Sequence, residues 1–362
     1  MSKKSQIAFF IAALAALLLA GPTHVASAKT VEFVALGDMP YNEKDQIDDV
    51  RTIGEKIGKG GFPFVVFYGD TINGGGRCEL LESRKKLIND LLPGKVIYTP
   101  GDNDWTDCDR NENAPTYEGD ALERLRDIFY SGEPPKGSDW AAKHDERFKE
   151  NMRWSYGGLE FVTLHIVGTG NGRWDIGNAD KNRIVEALAA VGARDKANLQ
   201  WLEAAFKRAN DTNARGLVVV IHSDPYDPRS KPQNFPNSAW KVACPIEDPP
   251  TSWEDPRRQA WTICNPYLGF LDHLEALAAH FKKPVLLIHG STHPYCFDRN
   301  FGGKAAPNLV RLNGPGDGAI DAAVVTFDKD NKEKPFDAVG LMGKDKKRAN
   351  GELFAGGPDS GC

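Results

Sequence analysis

The sequence predicts an α/β fold in which two packed β-sheets carry helices on their outer sides, and three observations point to it. Apolar, β-branched runs that end in Gly-Asp recur every 32 residues: VEFVALGD (31–38), PFVVFYGD (63–70) and KVIYTPGD (95–102). Each is followed by a stretch of helical pattern, which makes three successive βα units with parallel strands. Beyond them the order hairpin, helix, strand, helix, strand, hairpin adds further strands and outer helices.

Residues 1–28 read as a targeting segment. Lys3 and Lys4 precede an apolar stretch over 7–20, and Ala26-Ser27-Ala28 forms an A-x-A cleavage site. The stretch falls short of the roughly 20 residues a membrane helix needs. Cleavage after Ala28 is expected, leaving a periplasmic or secreted protein without a later membrane span. The three βα units follow, then a Pro/Gly-rich connection over 131–138. MRWSYGGLEFVTLHIVG (152–168) reads as a hairpin around Gly157-Gly158. Residues 178–210 carry the apolar stripe Leu199, Leu202 and Phe206 of a helix. The run GLVVVIHSD ends at His222 and Asp224, and a long loop rich in Pro, Trp, Asn and Asp covers 225–262. Loops of that length in a compact domain are usually functional covers or insertions. A helix over about 266–281 leads into KPVLLIHGSTH (283–293). NLVRLN (308–313) and AAVVTFD (322–328) are expected to close the fold as a hairpin. The stretch 343–362 reads as a mobile tail, which leaves one domain over 29–342.

The formal charge is −5 over 362 residues, and −7 over the 334 that remain after 28 leave with Lys3 and Lys4. That argues against a nucleic-acid-binding face, whose footprint is a basic patch. Six cysteines, an even number, read as disulfides in an exported chain. Cys78 and Cys108 lie just beyond the second and third Gly-Asp pairs, while Cys244 and Cys264 bracket a Pro/Trp-rich loop. Both pairings are expected.

Five strand ends bring polar groups to one sheet edge: Asp38, Asp70, Asp102, His222 and the HGSTH turn. In open α/β sheets, ligands bind at the carboxyl ends of the strands. Acids gathered there repel one another unless a cation separates them. Carboxylate with imidazole is a ligand set for two divalent or trivalent metals. A single Gly-Asp after a strand is ordinarily a turn or a helix cap. Three in phase, followed by His222 and His293, favour the metal reading.

On the segments GDMPY, GDTIN, PGDNDW, VVVIHSD and HGSTH, in that order from Asp38 to His293, the chain resembles the calcineurin-like metallophosphoesterases, the superfamily that also contains the purple acid phosphatases. The resemblance implies a four-layer αββα sandwich, two packed mixed β-sheets flanked by helices. It also implies hydrolysis of a small phosphomonoester or phosphodiester by a metal-activated hydroxide at a dinuclear site of Fe, Mn, Mg or Zn. By resemblance, Asp38 and His293 are ligands of a first metal, Asp70 bridges, and Asp102 and His222 serve the second.

The family's motifs are not met throughout. Pro40 stands where D-x-H has its histidine, Asn73 where the purple acid phosphatases have their iron-binding tyrosine, and Ser291 where G-H-x-H has its first histidine. Tyr41 and His289, close by in sequence, are candidate metal ligands in their stead. Asn103 replaces the histidine of G-N-H and is no acid. Asn103 and Asp104 are candidates to hydrogen-bond a phosphate or a metal-bound water, or else build the turn. Aryl esters with good leaving groups should therefore react best, and Asp102, in place of a neutral Asn, should favour hard ions. The alternative is a non-catalytic binding or structural protein on the same scaffold with one metal or none, since Pro40 and Ser291 each remove a ligand. GTGNG (168–172) could approach an anion through its amides, although a flexible loop is the plainer reading.

Overall fold

The apolar runs become strands because both of their faces are buried. In the computed structural model, which describes residues 30–41, 45–111, 114–225, 265–293, 295–318 and 320–343, the first half of the chain runs β1 (Thr30–Leu36), α1 (Asp45–Gly60), β2 (Val65–Phe67), α2 (Leu81–Asn89), β3 (Val96–Tyr98) and α3 (Glu118–Phe129). It continues through β4 (Lys143–His144), β5 (Met152–Tyr156), β6 (Leu159–Thr163), α4 (Ile184–Asp211) and β7 (Gly216–Val220). The last part comprises α5 (Leu268–Phe281), β8 (Val285–His289), β9 (Cys296–Asp298), β10 (Leu309–Asn313), β11 (Ala323–Asp328) and β12 (Phe336–Gly340).

Two mixed sheets result. One has the order β12-β11-β1-β2-β3, with β1, β2 and β3 parallel and β11 and β12 antiparallel. The other has the order β4-β5-β6-β7-β8-β10-β9, parallel from β6 to β10 and antiparallel at both margins. Alternate residues of the central strands face different layers. Val218, Val220, Leu286 and Ile288 pack in the core shared with the first sheet. Val219 and Leu287 pack outward against Leu202 and Phe206 of α4 and Leu274 of α5. Val50, Ile53 and Ile57 of α1 close the far side. The layers are therefore helix, sheet, sheet, helix, the sandwich that the sequence resemblance implies. Aromatic rings join the two sheets. The Phe161 ring centroid on β6 lies 5.3 Å from Phe33 on β1 and 5.2 Å from Phe64, and stacks on Trp154 at 4.9 Å.

One connection differs from expectation. The strands at 308–313 and 322–328 do not pair with each other. β10 lies parallel to β8, and β11 lies antiparallel to β1 in the other sheet. Burial gives the reason: Leu309 and Leu312 of β10 are buried on opposite faces, as a central strand requires. In β11, buried residues alternate with half-buried ones, which suits a place near the sheet margin. The closing hairpin is β11 with β12.

Cys78 and Cys108 are joined, tying the loops after β2 and β3. The expected Cys244–Cys264 pair, the targeting segment, most of the 225–262 loop and nearly all of the tail lie outside the described residues. Among the described residues no helix is long and apolar enough to cross a membrane.

A buried polar group lies behind the sheet edge. Glu150 accepts Arg126 Nη2 at 2.7 Å and lies 3.1 Å from His165 Nδ1. Burial pushes the His165 imidazole down to about 4, against the pull of Glu150. Burial also raises the Glu150 carboxyl, but His165 and Arg126 outweigh it and hold the group at about 2. Both folded values lie below the unfolded ones. The His165 contribution to stability is thus complete above about 6.5 and is lost as pH falls toward 4; that of Glu150 is complete above about 4.5 and is lost toward 2.

Two outcomes are expected. The urea midpoint should fall steadily from pH 7 to pH 3, and Glu150→Gln should flatten the part below pH 4.5; a midpoint constant between pH 6.5 and 4 would contradict the His165 assignment. Phe161→Ala should cost about 3–5 kcal/mol in the same measurement, whereas a loss under 1 kcal/mol would show that the inter-sheet rings carry little.

Candidate metal centre

The strand ends of β1 and β2 turn in the same way. Asp38 and Asp70 both have φ of 53°, the left-handed region that aspartate tolerates better than most residues. The Asp38 amide donates to the Gly69 carbonyl at 2.8 Å, locking the two turns together. Asp102, at the end of β3, keeps a negative φ, so the three Gly-Asp pairs are not conformational equivalents. Two glycines serve close approach. A methyl group on Gly101 would overlap Asp70 Oδ1, and one on Gly290 would overlap Asp38 Oδ2. The Ser291 amide, after that glycine, reaches both Asp38 oxygens at 3.2 and 3.0 Å.

Asp38, Asp70 and His222 are buried, and their ligand atoms all lie within 4.8 Å of one another, an arrangement that could hold a metal ion. His222 Nδ1 donates to the Tyr68 carbonyl at 2.8 Å. That bond fixes the ring and turns Nε2 toward Asp102 Oδ1, at 2.9 Å, and Asp70 Oδ2, at 3.4 Å. An imidazole whose Nδ1 proton is committed to a backbone carbonyl offers the Nε2 lone pair to a metal, so the donor set fits one.

Charge governs the cluster. Burial pushes the Asp70 carboxyl well up; His222 opposes this, and Asp102, Asp104 and Asp38 add to it. Burial alone would lower the His222 imidazole, but Asp70, Asp102 and Asp38 drive it well above its ordinary range. Asp102 is held at about 2: burial raises it, while His222 and the Thr169 hydroxyl lower it further.

On the Asp38 side, Tyr41 donates its hydroxyl to Asp70 Oδ2 at 2.9 Å. The Tyr41 hydroxyl oxygen also lies 3.4 Å from both Asp38 Oδ1 and His293 Nε2. Burial, then Asp70 and Asp38, push the Tyr41 phenol well above 10. His293 Nε2 is 3.7 Å from Asp38 Oδ1, and its imidazole is raised because Asp38 outweighs burial. Tyr41 and His293 therefore adjoin the Asp38–Asp70–His222 group on one side, and Asp102 adjoins it through His222 on the other.

The structure places the other candidates elsewhere. His289 sits on the outer parity of β8, with Nδ1 3.1 Å from the Gly290 carbonyl oxygen, and is not brought into the cluster. Asn103 donates its amide N–H to Asp70 Oδ1 at 3.0 Å and its side-chain Nδ2 to the Ile72 carbonyl at 3.0 Å. Asp104 is fully buried and accepts from the Asp70, Thr71 and Gly101 amides and the Thr71 and Tyr98 hydroxyls, at 2.7–3.0 Å. Its carboxylate clasps the β2 and β3 turns together.

Sequence reasoning missed the support of Asp102. GTGNG forms a left-handed turn with φ of 51°, 62° and 55° at Thr169, Gly170 and Asn171. The Gly168 amide and Thr169 hydroxyl donate to Asp102 at 3.2 and 2.5 Å. A β-branched residue in this region is strained, and such strain persists only where the surroundings over-determine it. The glycines signalled backbone freedom, but nothing in the sequence pointed to Asp102. Arg110 stands beyond the turn, 3.4 Å from Thr169 Oγ1 and paired with Asp107 and Asp175, each at 2.5 Å.

No family model and no curated protein sequence matches the chain. Among solved structures it is similar to a dimetal phosphatase from Danio rerio, at 12% identity over 86% of this chain and 99% of that one, with a TM-score of 0.46. It is similar to GAP50 of Plasmodium, described as the anchor in the inner membrane complex, at 14% identity over 86% and 88%, TM-score 0.42. A third is purple acid phosphatase PPD1 from yellow lupin, at 11% identity over 86% and 53%, TM-score 0.38.

Asp104→Ala leaves five donors without their acceptor and is expected to cost about 3 kcal/mol or more. It should also lower metal affinity, because Asp70 loses the clasp on its amide. A variant within 0.5 kcal/mol of the parent in urea unfolding would show that the clasp does not hold the turns.

Proposed function

We propose that this chain is an exported metal-dependent phosphoesterase acting on small phosphate esters. The observation that supports it most is the buried group of Asp38, Asp70 and His222, with Tyr41 and His293 beside the two acids and Asp102 beside His222. These residues would hold two ions. Bound there, the ions would supply a nucleophilic water at neutral pH and neutralise the phosphoryl oxygens. The chain's part is positioning: the Asn103 amide orients Asp70, and the Tyr68 carbonyl fixes the His222 tautomer. Asn103 commits its Nδ2 to Ile72 and has no proton to transfer, so a leaving group must depart without a side-chain acid from this loop. Aryl phosphates meet that requirement. Export is supported by the pattern of residues 1–28 and by the Cys78–Cys108 bond.

One observation favours a second reading, a non-catalytic binding module. Tyr41 and His222 already satisfy the acids by hydrogen bonds within the protein. Two measurements separate the readings: metal content per chain, and hydrolysis of p-nitrophenyl phosphate with manganese, iron, magnesium or zinc. The enzyme is expected to bind metal and hydrolyse the ester, and to lose about a hundredfold or more of its rate in Asp70→Asn. Absence of metal and of hydrolysis with all four ions would leave the binding module.

A further inference from the structure

Behind the Asp102 loop, a cavity of about 280 Å³ opens between α3 and α4. It is close to the lower end of the range for ligand pockets, about 300–1,000 Å³. Leu122 of α3 and Val191 of α4 give it an apolar body, and Trp105, Glu118, Arg126, Arg147 and Arg194 line it as well. Three polar atoms of these residues are buried without a hydrogen-bond partner: Trp105 Nε1, Arg194 Nε and Glu118 Oε2. Buried polar groups are nearly always paired, so three orphans around one cavity call for an occupant that pairs them.

Arg194 is the strongest indicator. Its side chain is 2% exposed, yet it makes no ion pair among the described residues. Its Nη2 donates to the Asn171 carbonyl at 2.6 Å, and its guanidinium lies 5.0 Å from the Trp105 ring centroid. Asp195 and Glu150 act on it only at longer range, and burial pushes it down to about 10. A buried cation without a counter-charge is costly. A ligand carboxylate would supply the missing charge and accept from the guanidinium and the indole together. Glu118 asks for a hydroxyl donor.

We propose that this cavity is an accessory binding site for a small amphipathic hydroxy-monocarboxylate, its anion against Arg194 and Trp105. The site is separate from the acidic cluster and independent of the phosphoesterase reading. Trp105 donates its amide to the Asp102 carbonyl at 3.2 Å. A side chain on Gly172, at the end of the left-handed turn, would touch both Arg194 and Trp105. An occupant therefore contacts the two loops that hold Asp102.

The test is calorimetric titration of the full chain with 3-(4-hydroxyphenyl)propanoate and with its uncharged amide. Saturable binding of the acid is expected, with the amide at least tenfold weaker. Arg194→Gln and the cavity-filling Ala187→Phe should each weaken it at least tenfold, with folding checked by thermal melting. Inorganic phosphate and Asp70→Asn should leave it unchanged. The proposal is overturned if the acid does not bind, if acid and amide bind equally, or if binding survives Ala187→Phe. Displacement by phosphate, or loss in Asp70→Asn, would overturn it by placing the ligand at the acidic cluster. Should Arg194→Gln fail to fold, the comparison of acid with amide still decides the charge requirement.

Discussion

Three carboxylates held out of water at one sheet edge are the constraint around which the rest of the structure is arranged. Asp38, Asp70 and Asp102 cannot all be ionised in that space without a positive charge among them. Among the described groups the His222 imidazole lies nearest to all three, and the acids push it well above its ordinary range. Hydrogen-bond donors do the rest: the Tyr41 phenol on Asp70, the Ser291 amide on Asp38, and the Gly168 amide and Thr169 hydroxyl on Asp102. The donors come from three different loops, so the acids organise the edge as much as the edge organises the acids.

The backbone concessions follow from the same constraint. The left-handed turns at Asp38 and Asp70, the left-handed run at 169–171 and the bare approach of Gly101 to Asp70 all cost conformational freedom or strain. They persist because the surrounding framework over-determines them. The sheet order puts β1, β2 and β3 side by side, the Phe33–Phe161 contact locks the sheets, and Asp104 ties the last two turns with five donors. A site strained in this way is better suited to binding an ion than to stabilising the fold.

Much of this was legible in the sequence, and what was not has physical reasons. The strands β1 to β3, β7 and β8 could be read because both of their faces are apolar, and the 152–168 hairpin because Gly157-Gly158 marks its turn. Strand partners could not: β10 and β11 are neighbours in sequence but belong to different sheets, and only long-range burial decides that. On an extended strand, His289 and Ser291 would share one face. The strand ends at His289, and Ser291 takes φ of 72°, so the period no longer applies. Asp104 could be read either as a group of the site or as a turn residue, and the choice depends on five amides and hydroxyls that only the folded loops bring to its acceptors. The turn at 169–171 resembled a free loop for a related reason: its purpose lies 66 residues away, at Asp102.

Buried negative charge at this edge is a cost that a bound cation would relieve. Thermal melting of the parent and of Asp70→Asn, each with chelator and with manganese, tests this. With chelator, Asp70→Asn is expected to melt above the parent, and manganese is expected to raise the parent by several degrees while leaving the variant nearly unmoved. A variant that melts below the parent under chelator, with manganese shifting neither protein, would contradict it.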